Sequence, residues 1–99
     1  MKPPVLYIVV PCYNEQEVLP ETSKRLRHLV RELTGQGKID PASRITLVDD
    51  GSKDNTWKII SELCDRHECI EGLKLAHNAG QQNALWAGLM TVKDKADAA

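Results

Sequence analysis

Three short apolar runs alternate along this chain with three longer segments in which apolar residues recur every three or four positions. The runs are of the kind buried on both faces of a parallel sheet, and the longer segments have the period of amphipathic helices. The predicted strands are Val5–Val10, Arg44–Val48 and Ile70–Ala76, and the predicted helices are one ending at Gly35, then Asn55–His67 and Gly80–Val92. The order β-α-β-α-β-α predicts an α/β fold, with three layers around a parallel sheet and right-handed crossovers.

Local signals mark the beginnings of the first two helices. Asn14 and Glu17 have the spacing of a capping box, Pro20 suits a first helical turn, and Asp54 is a favourable N-cap. Trp57 is predicted to be a packing residue, and the basic run that starts at Lys24 is predicted to be solvated surface. The apolar positions predicted to face inward are Leu26, Leu29, Val30 and Leu33 in the first helix, Ile59, Ile60, Leu63 and Cys64 in the second, and Leu85, Leu89 and Val92 in the third.

Composition narrows the class of protein. The chain has 99 residues, of which 41% are hydrophobic and 27% charged, the profile of one ordinary globular domain or part of one. A formal net charge of −1 gives no indication of a nucleic-acid partner or a polybasic membrane contact. The longest apolar stretch is too short to span a bilayer. Three cysteines without zinc-type pairing favour a reducing, cytoplasmic compartment.

Polar side chains follow each predicted strand at its carboxyl end. The carboxyl ends of parallel strands meet at one edge of the sheet, where open α/β folds bind ligands. These strand exits are Pro11–Glu15, Asp49–Ser52 and His77–Gly80. Together they predict one ligand-binding rim.

The chemistry of this predicted rim suits a nucleotide. Tyr13 can stack on a flat ring, and Glu15 or Asp50 can accept hydrogen bonds from a ribose hydroxyl or a base N–H. Ser52 can donate to an oxygen, and the helix that Gly80 opens would favour an anion at its N-terminus.

The sequence lacks the motifs of several other cofactor-binding and catalytic sites. No G-x-G-x-x-G follows the first strand, no P-loop motif occurs, and no Ser or Cys lies in a nucleophile elbow. A receiver-type signalling module also has an acidic pair after a strand. That alternative requires a phosphoacceptor Asp at the exit of the third strand, where this chain has His77 and Asn78.

Three motifs in register resemble the beginning of the inverting glycosyltransferase family 2, a GT-A type fold. They are Val9–Glu15, Leu47–Thr56 and Asn78–Leu85, and they extend over almost the whole chain. The resemblance is strongest to the dolichol-phosphate mannosyltransferase and bactoprenol glucosyltransferase branch. It implies that residues 1–99 are the N-terminal, nucleotide-binding part of such a domain. The nucleotide-binding positions that it implies, together with the rim serine, are Pro11, Tyr13, Glu15, Val48, Asp50, Ser52, Asn78 and Gly80.

The resemblance also implies what the whole enzyme would need. The family's acidic metal-binding motif and its catalytic base come after the third helix and are not found here, so no catalytic or metal-binding residue is assigned. The full-length enzyme is expected to use a divalent cation, Mg or Mn, a UDP- or GDP-sugar donor and a polyprenyl-phosphate acceptor at the cytoplasmic face of the membrane. The fragment alone is expected to be inactive, and a non-catalytic nucleotide-binding homologue is the alternative. The strand Val5–Val10 is expected to be an open edge that supports a homodimer.

Overall fold

The structure, a computed structural model, describes residues 2–75 and 81–95 and contains the predicted alternation of strands and helices. The elements are β1 (Tyr7–Cys12), α1 (Leu19–Gly35), β2 (Arg44–Asp49), α2 (Thr56–Arg66), β3 (Ile70–Lys74) and α3 (Gln81–Val92). The strands form one parallel sheet in the order β1-β2-β3. The predicted α/β fold with a parallel sheet is therefore confirmed.

β1 lies two residues later than predicted, because Pro11 is part of the strand. The N–H of Arg44 donates to the carbonyl of Leu6, and the N–H of Asp50 donates to the carbonyl of Cys12, at 3.0 and 2.8 Å. In a parallel sheet, successive residues of a strand direct their backbone hydrogen bonds to opposite sides. The even-numbered residues of β1 therefore bond to β2, and the odd-numbered ones face the other side. The nitrogen of Pro11 therefore faces the outer edge of β1, where a missing N–H does no harm.

The predicted capping signals are only partly right. α1 begins at Leu19 with Val18 at its N-cap and no side-chain cap, so the proposed capping box of Asn14 and Glu17 is wrong. The carbonyl of Glu15 accepts the N–H groups of Val18 and Leu19 instead. Pro20 does lie in the first turn.

The cap of α2 differs from its prediction by one residue. Its N-cap is Asn55 rather than Asp54. The Asp54 carboxylate nevertheless accepts the backbone N–H of Thr56 at 2.9 Å.

One face of the sheet packs against α1 and α2. Ile45 and Leu47 of β2 are fully buried there, and they form a cluster with Leu19, Val30 and Ile60. Leu29, predicted to face inward, is 44% exposed. Consecutive helical residues lie about 100° apart, so Leu29 turns to the flank of α1 when Val30 faces the sheet. Trp57 packs against the same cluster, as predicted.

α3 covers the opposite face and approaches β1 and β2 at a glycine. A Cβ atom placed on Gly88 would lie 2.4 Å from Cγ1 of Val9 and 2.9 Å from Cγ2 of Val48. Val92, one turn later, is fully buried, whereas Leu85 is 38% exposed, contrary to prediction. α3 packs most closely against the sheet at Gly88 and Val92, so Leu85, about one turn before Gly88, is more exposed to solvent. Helices on both faces give the predicted three layers.

No described helix combines the length and the apolar character needed to cross a bilayer.

Candidate functional site

The carboxyl ends of β1 and β2 bring two loops together at one edge of the sheet. Cys12 and Asp49, the last residues of these strands, are register partners. The loops that follow, residues 13–18 and 50–55, therefore begin side by side. This arrangement agrees with the prediction that Tyr13 and Glu15 lie at the same edge of the sheet as Asp50 and Ser52.

Five hydrogen bonds between described residues join the first loop to the second loop and to Thr56, the first residue of α2, and we call this set the loop latch. Each joins residue 14, 15 or 16 to a residue 38 to 41 positions later. The bonds are Asn14 N–H to Ser52 Oγ (2.9 Å), Lys53 N–H to Asn14 Oδ1 (2.8 Å), Glu15 N–H to Thr56 Oγ1 (2.8 Å), Gln16 N–H to Asp54 Oδ2 (3.3 Å) and Asn55 N–H to Gln16 Oε1 (2.9 Å). Because the bonds run in both directions, each loop fixes the backbone of the other.

Asn14 is the turning point of the first loop. Its φ of +50° lies in the left-handed region, which asparagine adopts more readily than most residues. In this conformation its backbone N–H donates to Ser52 while its side-chain oxygen accepts from Lys53. The sequence prediction treated Asn14 as a helix cap and so missed this role.

Asp54 and Thr56 form the base of the latch. Thr56 is fully buried, and its hydroxyl donates to Asp54 Oδ1 while accepting the N–H of Glu15. Desolvation raises the pKa of Asp54, but the hydrogen bonds from Thr56 and Gln16 outweigh it and hold that pKa below its usual value. Neither residue was predicted as part of the site. Asp54 lies five residues and Thr56 seven residues after the end of β2, and the only local signal was that of Asp54 as a helix N-cap.

The two adjacent aspartates have different surroundings. Asp49 is fully buried, and its Oδ1 accepts the N–H of Ser52 at 3.1 Å, which holds the turn at Gly51, where φ is +72°. Its Oδ2 is buried and has no hydrogen-bond partner among the described residues. Asp50 is 3% exposed. Asp49 is therefore a residue that supports the loop.

The remaining predicted positions differ in how open they are. Tyr13 is 40% exposed, whereas Pro11, Glu15 and Ser52 are half-buried and Val48 is fully buried. Tyr13 is thus the predicted contact most open to a ligand, whereas Val48, inside the central strand, has no exposed surface. Asn78 and Gly80 lie outside the described residues.

The pKa of Cys12, the last residue of β1, reflects the electrostatic potential near the rim. Burial, followed by the charges of Glu15 and Asp49, raises the pKa of its thiol from 9.0 to about 12. The thiol is therefore neutral, and its Sγ donates to the carbonyl of Val10 at 3.6 Å. A negative potential at this edge favours hydrogen-bond donors of a ligand, such as ribose hydroxyls or a base N–H.

Two further features bear on the location of the site. No group of three or more His, Cys, Asp or Glu side chains in the described part of the chain is arranged to hold a metal ion. A groove of about 1010 Å³ lies between α1 and the segment joining α2 to β3, away from the rim. We place the candidate site at the rim rather than in this groove, because strand ends and convergent loops are where α/β sheets bind ligands.

Comparisons with known proteins agree with the fold and the motifs. Residues 7–96 match the family model described as Glycosyl transferase family 2. The chain is 50% identical over 94 residues to a Bacillus subtilis (strain 168) protein named uncharacterized glycosyltransferase YkoT, with 95% of this chain and 28% of that protein aligned. It is 35% identical over 86 residues to an undecaprenyl-phosphate 4-deoxy-4-formamido-L-arabinose transferase of Serratia proteamaculans (strain 568), with 86% of this chain and 24% of that protein aligned.

A solved structure also matches this fold. The crystal structure of S. aureus TarS superposes with a TM-score of 0.61 at 22% identity, over 88% of this chain and 14% of that one. This likeness agrees with a GT-A, Rossmann-like architecture. The chain spans about a quarter of the length of the curated relatives named above.

Proposed function

Since the chain belongs to glycosyl transferase family 2, we propose that it forms the nucleotide-binding part of an inverting glycosyltransferase that transfers a hexose from a UDP- or GDP-sugar to a polyprenyl phosphate. The observation that carries the proposal is the latched pair of loops at the carboxyl ends of β1 and β2. The family membership removes the receiver-type alternative.

Each predicted residue is assigned a role in this proposal. Tyr13, the most exposed of them, stacks on the base. Asp50 and the backbone of Val48 hold the base edge, and Glu15 accepts from the ribose. Pro11, in β1, lies with Tyr13 and Glu15 around the base and ribose, and Ser52 donates to a ligand oxygen. As the resemblance implies, Asn78 and Gly80 close the nucleotide side.

The acceptor and the cofactor belong to the proposal for the whole enzyme. A polyprenyl-phosphate acceptor at the cytoplasmic face of the membrane is supported by relatives named undecaprenyl-phosphate sugar transferases. A divalent cation, Mg or Mn, would neutralise the leaving diphosphate. The described residues do not form a site for it. Because this chain spans about a quarter of the length of these relatives, we propose the transfer step for the whole enzyme and nucleotide binding for this part.

Nucleotide binding is tested by titrating UDP and GDP into the 15N-labelled chain. We expect a dissociation constant near millimolar, about −4 kcal/mol, because a nucleotide half-site has no metal contact to the diphosphate. Amide shifts should occur in the three rim loops, at residues 12–16, 48–56 and 77–80. Asp50→Asn should weaken binding more than Asp49→Asn, because Asp49 supports the loop through Ser52.

The comparison of Asp49→Asn with Asp50→Asn also shows which results would contradict this proposal. Equal effects of the two substitutions, or a larger effect of Asp49→Asn, would mean that Asp50 does not contact the base. Shifts confined to α1 and α2, or none at millimolar nucleotide, would remove the rim as the nucleotide site.

The outer edge of β1 supports the proposed homodimer. The odd-numbered residues of β1 turn their N–H groups away from β2, and no described strand pairs with that edge. Such an edge recruits another strand, most simply around a two-fold axis. Light scattering should give twice the 11.1 kDa of one chain at high concentration. Val9→Pro, which removes an outward N–H, should shift the sample to monomer; a concentration-independent monomer would contradict the proposal.

A further inference from the structure

The groove between α1 and the α2–β3 connection has a distinctly cationic lining. Among its residues are five Lys or Arg against three Glu, a surplus of two positive charges in a chain whose net charge is −1. Glu21 is engaged with Arg25 at 3.0 Å, and Glu68 lies 3.9 Å from Arg44. The groove therefore concentrates positive charge in a protein that is slightly acidic overall.

Helix dipoles do not explain most of this charge. Cations near a helix C-terminus commonly offset its partial negative charge. Arg66 lies in the last turn of α2 and fits that role, but the last turn of α1 contains no basic residue. Lys24, Arg27 and Arg31 lie earlier on α1, in a stretch from residue 24 to residue 31 without any acid. Their positive charge is available to a ligand.

Arg27 is held in an unusual environment for a surface cation. Its Nε is buried and has no hydrogen-bond partner among the described residues. A partly desolvated guanidinium interacts more strongly with an anion than one that is fully hydrated. Phosphate oxygens match the fork of the terminal guanidinium nitrogens.

His67 gives an independent sign of the positive potential in the groove. Desolvation, followed by the charges of Arg27 and Arg66, lowers the pKa of His67. Arg27 and Arg66 come from different helices and act on the same imidazole. Their fields therefore overlap where His67 lines the groove.

From the cationic lining and the partly desolvated Arg27, we propose that this groove is a second anion site, separate from the rim, that binds phosphate groups. Arg27 and Arg66 flank the phosphate, and Lys24 and Arg31 add charge along α1. The groove, at about 1010 Å³, has room for a diphosphate or a phospholipid headgroup. The proposal does not depend on nucleotide binding at the rim.

The test titrates sodium pyrophosphate into the 15N-labelled chain against sodium chloride of equal ionic strength. We expect pyrophosphate to shift the amides of residues 24–31 and 66–69 and to raise the pKa of His67, since a bound anion stabilises the imidazolium. The double variant Arg27→Gln/Arg66→Gln should bind about tenfold more weakly. The control Lys38→Gln/Lys93→Gln removes two exposed charges outside the groove and should change binding less than about twofold.

A second arm identifies the source of the phosphate. Vesicles of phosphatidylcholine with and without phosphatidylglycerol are sedimented with the wild-type chain and both double variants. Groove shifts with pyrophosphate support a free phosphate ligand, and sedimentation that needs both phosphatidylglycerol and the two arginines supports a lipid headgroup. If neither occurs, or if both double variants behave alike, the proposal is wrong. If the Arg27→Gln/Arg66→Gln variant does not fold, the wild-type chain alone still tests the proposal. An unchanged pKa of His67 in the presence of pyrophosphate would show that the proposal is wrong.

Discussion

Thr56→Val should destabilise the fold by about 2 kcal/mol and weaken UDP or GDP binding by about tenfold. Valine has nearly the shape of threonine, so packing in this fully buried position is retained. The lost hydroxyl leaves the N–H of Glu15 without its acceptor and takes a donor from Asp54. A buried donor without a partner costs about 1–3 kcal/mol, and here the same loss releases the loop that carries Tyr13.

Thr34→Val is the matched control for this substitution. The Thr34 hydroxyl donates to the carbonyl of Val30 one turn earlier in α1 and takes no part in the rim. Urea unfolding should show a change below about 0.5 kcal/mol for the control, and nucleotide titration should show none. If the two variants lose equal stability, or if Thr56→Val binds nucleotide normally, the loop latch does not organise the site.

Gly88→Ala should destabilise the protein by about 1–3 kcal/mol, although alanine is the better helix former. The added methyl would lie 2.4 Å from Val9 and 2.9 Å from Val48, so either α3 or the two valines must move. Val9 and Val48 belong to neighbouring strands whose register is fixed by the ladder. We expect α3 to lift and its amides to exchange faster with solvent.

Gly35→Ala provides the comparison for helix propensity. Gly35 is the last residue of α1, and a Cβ placed there meets nothing within 4 Å. This variant should be unchanged or more stable by a few tenths of a kcal/mol, about the propensity gain at a helix end. Urea unfolding of the two variants separates packing from propensity. Equal stability of Gly88→Ala and Gly35→Ala would show that α3 adapts without cost.

The fold was predictable because its signals are local. Ile45 and Leu47 belong to a short, mostly apolar run, and the helical period of α2 predicts Ile60 as a core residue. Errors arose where tertiary packing decides between adjacent candidates. Leu29 and Val30 are both apolar, and only the docked angle of α1 selects Val30 for the core.

The location of the rim was predictable from the sequence, but its hydrogen-bond network was not. Strand exits and their polar residues can be read along the chain, and they located Tyr13 and Asp50 at one edge. The bonds of Asn14 and Gln16 reach partners about forty residues away, and they depend on the register of β1 against β2. Nothing local in the sequence encodes that register, so both residues were assigned to other roles or missed.

The sequence separation within the loop latch has a consequence for synthesis on the ribosome. Residues 14–16 emerge 38 to 41 residues before the groups that hold them. At about 5–20 residues per second, this interval lasts about 2–8 s. For most of this interval β2 (Arg44–Asp49), the only described neighbour of β1, has not yet emerged, and β1 has no strand to pair with. The nascent N-terminal segment therefore spends seconds as an apolar strand with both edges open, the period when a chaperone would protect it most.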